Sequence, residues 1–266
     1  MANCAAMAIG SCRIQGVLVR ARDEFGVTID ATSQYAFIYN TKEIIQQIRH
    51  LRGEFTISAR MRAFLNHARV NWIERGVGIA QAAVYFVEIS NAKFIEWDGF
   101  FPQQTAVNKQ LLAAGAPVMW DILWNGDWRD HDAVRRRIRA RPEFDGLSCA
   151  MQDFLMSVTI SIQEPHDLRE DMALILVLLG RERVIFLSKP TATASDGALP
   201  PSRQKFVDEI KDAAADLGVR FFDPTPMLHS FGQQRGLIDG GRILHYTPEF
   251  EATMTRHVVA QFLQSA

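Results

Sequence analysis

The sequence predicts an α/β protein: a doubly wound, parallel five-stranded sheet with a mostly helical cap inserted at about residues 92–165. Three observations lead there. Short apolar runs recur at Ala5–Ile9, Gly26–Asp30, Ala83–Ile89, Val184–Ser188 and Val219–Phe222. Amphipathic stretches of helical period separate them, and that alternation builds a parallel sheet with right-handed crossovers. Between Ala92 and Pro165 the alternation lapses for longer than an ordinary crossover needs, which marks an insertion.

Composition bounds the rest. A chain of 266 residues, 48% apolar and 22% charged, suits one α/β domain spanning residues 1–266. A formal charge of −1 gives no long-range attraction to nucleic acid or an anionic membrane, so neither is expected as a partner. Cys4, Cys12 and Cys149 have unrelated spacings, which predicts neither a disulfide framework nor a zinc site and favours a reduced, cytoplasmic setting. The N-terminus has no basic region ahead of its apolar run, so no signal peptide is expected. The apolar run Met172–Leu179 is too short to span a bilayer.

In order, the strand Ala5–Ile9 stops at Gly10-Ser11-Cys12, and Ile14, Val17, Leu18 and Val19 begin a helix. After the second strand, Asn40 with Glu43 three residues on forms a capping-box start, with Ile44, Ile45, Ile48 and Leu51 as the apolar stripe and Gly53 as the stop. A second helix is predicted over Ser58–His67, then the strand AVYFVEI at Ala83–Ile89. The insertion opens with a short hairpin, KFIEWDGFF, followed by a Trp-rich segment, a basic helix and an apolar helix. Leu168–Leu179 is a helix ended by Gly180, and the Pro- and Gly-containing Lys189–Ser202 is a mobile loop after the fourth strand. Lys205–Leu217 is a helix, and a loop through Asp239 and His245 follows the fifth strand. Thr247-Pro248 then caps a last helix to Leu263.

The chemistry gathers at two places. Ligands of such sheets bind at the carboxyl edge, where the Gly10-Ser11-Cys12 turn lies. Ser11 and Cys12 are both candidate nucleophiles there. A cysteine at a helix N-terminus beside Arg13 gains thiolate character; its bland reading is a small buried residue. His245 opens at the same edge and suits a general base, with Asp239 as its orienting carboxylate; alone, it would be a loop histidine in a polar turn.

A strand ending in Gly-x-Ser, paired with a late Asp…His ahead of the last helix, resembles the SGNH (GDSL-like) esterases and acyltransferases, whose sheet is flavodoxin-like. Setting Gly10-Ser11-Cys12 on the family's Gly-Asp-Ser puts Cys12 at the nucleophile position. That is similar to the cysteine-bearing branch of capsular-polysaccharide acetyltransferase-like proteins, as are Phe222-Asp223-Pro224 and His245-Tyr246. The resemblance implies a Cys12–His245–Asp239 triad, although Asp239 stands six residues before His245 where the family has three. A Cys–His dyad is the alternative. It also implies oxyanion or substrate contacts from Ser11, Arg13, Ser90, Asn91 and Tyr246.

Other features carry two readings each. Trp120, Trp124 and Trp128, at four-residue spacing, either pack as core or wall an acyl or ring substrate. Asp121, Asp127, Asp130, His131 and Asp132 lack a metal-ligand spacing and read as a solvated acidic loop. The run Arg135–Arg141 is a solvated helix face or a phosphate grip, and Lys189 is a loop lysine or a contact for an anionic substrate. No Gly-rich phosphate loop follows a strand. The expected function is acyl transfer on an ester or thioester of a small metabolite or sugar, as esterase, thioesterase or O-/N-acyltransferase. No cofactor or metal is expected; acyl-coenzyme A or another acyl thioester enters only as co-substrate. The other reading is a carbohydrate- or metabolite-binding protein on the same fold without chemistry.

Overall fold

In the computed structural model the described residues are 4–30, 38–65, 76, 78–79, 81–193, 200–238 and 245–263. The chain opens with β1 (Cys4–Ile9), α1 (Cys12–Phe25) and β2 (Ile29–Asp30). Gly26 ends α1 in the left-handed region at φ 69°, which only glycine adopts without cost. Next come α2 (Thr41–Leu51), the short α3 (Ala59–Arg62) and β3 (Ala82–Ile89). The predicted Ser58–His67 helix is therefore shorter than its pattern: Ser58 caps it, turns begin at Ala63, and His67 lies outside the described residues.

The segment after β3 starts with β4 (Lys93–Glu96), runs through α4 (Gln104–Ala113), α5 (Pro117–Asn125), α6 (His131–Arg139) and α7 (Cys149–Ser157), and returns in β5 (Thr159–Ile162). The remainder is α8 (Pro165–Leu179), β6 (Val184–Ser188), α9 (Pro201–Asp216), β7 (Arg220–Phe222), α10 (Thr225–Phe231), α11 (Gln233–Gly236) and α12 (Pro248–Val258). Past α12 a wider-pitch turn covers Val259–Leu263.

Parallel strands stand in the order β2-β1-β3-β6-β7, with β2 contributing only Ile29 and Asp30. The strands alternate between two apolar layers, as period-two geometry requires. Ala6, Ala8, Val84 and Phe86 pack with Ile14 and Val17 of α1 and Phe250 and Met254 of α12. Met7, Ile9, Val87 and Phe186 face the other way, against α2, α8 and α9. That second layer runs without a break into Trp97, Val107, Met119 and Phe154 of the 93–162 segment.

Two sequence expectations change. The KFIEWDGFF hairpin forms its turn, with Trp97 and Phe100 exchanging backbone hydrogen bonds around Asp98 (φ 53°) and Gly99 (φ 68°). Its ladder is different: Lys93–Glu96 pairs antiparallel with Thr159–Ile162, from Lys93 opposite Ile162 to Glu96 opposite Thr159. The Phe101 backbone is unavailable for a ladder because the Gln46 side chain bonds both its N–H (2.8 Å) and its C=O (3.2 Å). The predicted loop after β7 holds two helices, α10 and α11. Asp223 starts the first by accepting from the Thr225 N–H at 3.0 Å, and Gly232 separates the two. Of the Lys189–Ser202 loop, residues 194–199 lie outside the described residues. Among the described residues, no helix is long and apolar enough to cross a membrane.

Candidate active site

Parallel strands bring their carboxyl ends to one edge. In sheets of this kind ligands bind where the strand order reverses, which here is between β1 and β3. β1 delivers Gly10, Ser11 and Cys12 to that edge. Gly10 must be glycine for a local reason: a Cβ there would lie 2.6 Å from the Glu88 Cβ on β3. Ser11 is the N-cap of α1, its Oγ accepting from the Arg13 N–H at 3.3 Å, so Cys12 is the first residue of the helix.

His245 arrives from the other end of the chain. Its C=O accepts from the Ile238 N–H at 2.9 Å, and a bridge between Leu237 and Tyr246 fixes the next residue. The outcome is a Cys12 Sγ to His245 Nδ1 distance of 3.5 Å across 233 residues of sequence. Asp239, the predicted orienting acid, lies outside the described residues.

The thiol is half-buried. Burial pushes its pKa above the ordinary value; the adjacent Arg13 pulls it down and Glu88 pushes it up. This corrects the expectation that helix and arginine together favour the thiolate. Desolvation outweighs them, and the resting group is the thiol.

Beneath the turn lies a network that the sequence reading did not single out. Glu88, 3% exposed, accepts from Ser11 Oγ on Oε2 and from Arg13 Nη2 on Oε1, both at 2.6 Å. Its signal was present: a carboxylate inside the apolar run AVYFVEI requires a buried partner. Arg203, also missed, reaches from α9 to bond Ser90 C=O (2.7 Å) and Lys189 C=O (3.0 Å), tying together the chain ends leaving β3 and β6. Lys189 beside them is pulled down to about 8, first by burial and then by the charges of Arg13 and Arg203.

The other predicted contacts have definite places. The Ser90 and Asn91 N–H groups both donate to Tyr39 C=O, at 2.8 and 2.9 Å. The Asn91 amide donates to Gln104 Oε1 at 3.1 Å, and its Oδ1 accepts from the Lys93 N–H at 3.0 Å. Tyr246 packs edge-to-face on Phe250 at 4.9 Å, and burial drives its hydroxyl pKa far up. Trp120 and Trp124 stack at 5.1 Å and lean half-buried on the core, while Trp128 donates to Leu123 C=O at 2.7 Å. Of the acidic loop, Asp127 pairs with Arg129 at 2.6 Å and Asp130 caps α6. Among the described residues, no three His, Cys, Asp or Glu side chains converge as metal ligands.

A parallel α/β sheet with a thiol and an imidazole in contact at its carboxyl edge is the class of protein that this geometry defines. The chain belongs to the family of the TviD N-terminal domain, whose model matches residues 4–261. It is 28% identical over 249 residues to the Vi polysaccharide biosynthesis protein TviD of Salmonella typhi, an alignment covering 91% of this chain. The chain spans only 30% of that relative's length. No solved structure matches.

Proposed function

We propose that the chain is an acyl-transfer enzyme of polysaccharide biosynthesis, of the SGNH-like type, with Cys12 as nucleophile and His245 as general base. The observation that carries this reading is the 3.5 Å contact between Sγ and Nδ1, within the looseness expected of an unliganded thiol–imidazole pair. The relative's role in Vi polysaccharide biosynthesis supports a sugar acceptor. The insertion at 92–165 is read as a cap on one single domain, which would bound the acceptor's site.

The steps balance through one proton. His245 Nδ1 takes the Cys12 proton as sulfur attacks the acyl carbonyl of an ester or thioester. The tetrahedral oxyanion collapses, and the departing alkoxide or thiolate receives the proton back from His245. A sugar hydroxyl, deprotonated by the same imidazole, then attacks the Cys12 acyl thioester, and the protonated thiol is regenerated. Acceptance at Nδ1 requires the tautomer with its proton on Nε2, a group that Asp239 would orient. The Cys12 N–H, at the first position of α1, would face the oxyanion. No resident cofactor takes part; the acyl donor is a co-substrate. Lys189 would draw in an acceptor or donor bearing negative charge.

Intact-protein mass spectrometry after incubation with acyl thioesters and activated esters tests this. An acyl adduct in the wild type that is missing in Cys12→Ala supports the mechanism. No adduct and no turnover with any donor would overturn it. One observation favours the binding-protein reading: the side chains expected to hold the oxyanion are already engaged, Asn91 Nδ2 with Gln104 Oε1 at 3.1 Å and Ser90 Oγ with Tyr39 C=O at 3.4 Å. Cys12 alkylation that is indifferent to His245→Ala, with no acyl adduct formed, would select that reading.

A further inference from the structure

Resting on Cys12 as the nucleophile, we propose that Glu88 is a positioning residue that grips the chain on both sides of Cys12 and cancels the field of Arg13 at the sulfur. Three observations converge on it. One carboxylate spends one oxygen on Ser11 and the other on Arg13, the two neighbours of Cys12, each at 2.6 Å. Glu88 and the Arg13 side chain are both buried, so water does not screen the pair. And Gly10 lets the turn approach so closely that its missing Cβ would lie 2.6 Å from the Glu88 Cβ.

The arrangement has a defined electrostatic result. Arg13 alone would favour a thiolate, and Glu88 alone would oppose it; held together they present the sulfur with a neutral pair. The two act on the thiol with opposite sign. The remaining charged or titratable groups facing the site are His245 and Tyr246 ahead of α12, Tyr39 ahead of α2, Lys189 after β6, Arg203 on α9 and Asp223 after β7. None of them bonds both sides of Cys12. Keeping the thiol protonated at rest makes attack depend on His245, so the nucleophile is released when the base takes the proton.

The test is the pH dependence of Cys12 alkylation by iodoacetamide in the full chain, followed on the Cys12 peptide by mass spectrometry. It needs no turnover, so it separates failure of this proposal from failure of the acyl-transfer reading, which rests on the adduct. Glu88→Gln leaves Arg13 uncancelled, and the alkylation midpoint should fall by about one pH unit. At pH 7 the rate should rise about threefold, because a more acidic thiol yields more thiolate of lower nucleophilicity. The double variant Arg13→Gln/Glu88→Gln should return to the wild-type midpoint. A structural loosening would shift both variants alike. A folded Glu88→Gln with an unchanged midpoint, or a double variant that moves with the single one, overturns the proposal. If Glu88→Gln does not fold, the double variant decides alone: a midpoint clearly away from the wild type overturns it.

Discussion

His245 touches Cys12 with Nδ1, and the consequences are local and measurable. Replacing it with alanine should slow acyl-adduct formation by about 100-fold or more, the range for loss of a positioned base, with the adduct rate as readout. Alkylation of Cys12 should rise with pH and reach its plateau above the ordinary cysteine range, since burial favours the protonated form. Lys189 moves in the opposite sense. Protonated at pH 7 and neutral above about 8, it should hold negatively charged substrates progressively less well as pH rises, seen as an increase in KM that Lys189→Ala abolishes. Gly10→Ala should cost roughly 1–3 kcal/mol, because β1 and β3 cannot separate to admit the methyl; a lower denaturation midpoint checks it. Much of this was legible in advance. Gly10, Cys12 and His245 advertise themselves through a turn and a late loop. Glu88 did not, because its partners stand 75 and 77 residues away and only the sheet brings them together.

Among the elements, α2 shows a sequence motif carried through to energetics. The Asn40–Glu43 capping box forms as its spacing predicts: the Glu43 N–H donates to Asn40 Oδ1 at 3.0 Å. The Glu43 carboxylate accepts from Asn40 Nδ2 at 2.7 Å and from the Tyr39 N–H at 3.0 Å. Burial nevertheless raises Glu43 to about 8. A carboxyl whose folded pKa lies above its unfolded value stabilises fully at acid pH and loses that contribution as pH climbs toward 8. Stability should therefore decline between about pH 5 and 8, and Glu43→Gln should flatten the decline in urea midpoints measured across that range. Strands β1, β3 and β6 were readable from apolar runs because they are buried on both faces. The four-residue β5 was not: Ser161 and Ile162 are exposed, and its partner is β4, on the far side of the α4–α7 excursion. Helices α10 and α11 escaped for a similar reason, since each is only one or two turns long and started by its neighbours.

For the molecule as a whole, what matters is that one apolar layer serves two parts of the chain. The side chains beneath α2, α8 and α9 continue into those of the 93–162 segment, with Phe64 stacked on Phe154 at 4.2 Å and edge-on to Trp97 at 5.2 Å. Four of the five tryptophans, Trp97, Trp120, Trp124 and Trp128, lie in that segment, so tryptophan fluorescence reports mainly on it while far-UV ellipticity reports on all the helices. The two signals should lose native value at one denaturant concentration. Separate transitions would show two cooperative units. The overall layout was legible from the alternation of strands and helices, but how deeply the inserted residues share the core was not, since a linear pattern does not say which apolar faces meet.

The β4–β5 ribbon also bears on how such a chain diverges. Because Glu96 stands opposite Thr159, the chain departs and comes back through neighbouring positions, whatever lies between. Residues can be gained or lost within that excursion without shifting the register of any strand in the main sheet. The turn carrying Cys12 hangs from β1 and β3, upstream of this doorway. Descendants of one ancestor can therefore remodel that excursion while the turn carrying Cys12 stays as it was.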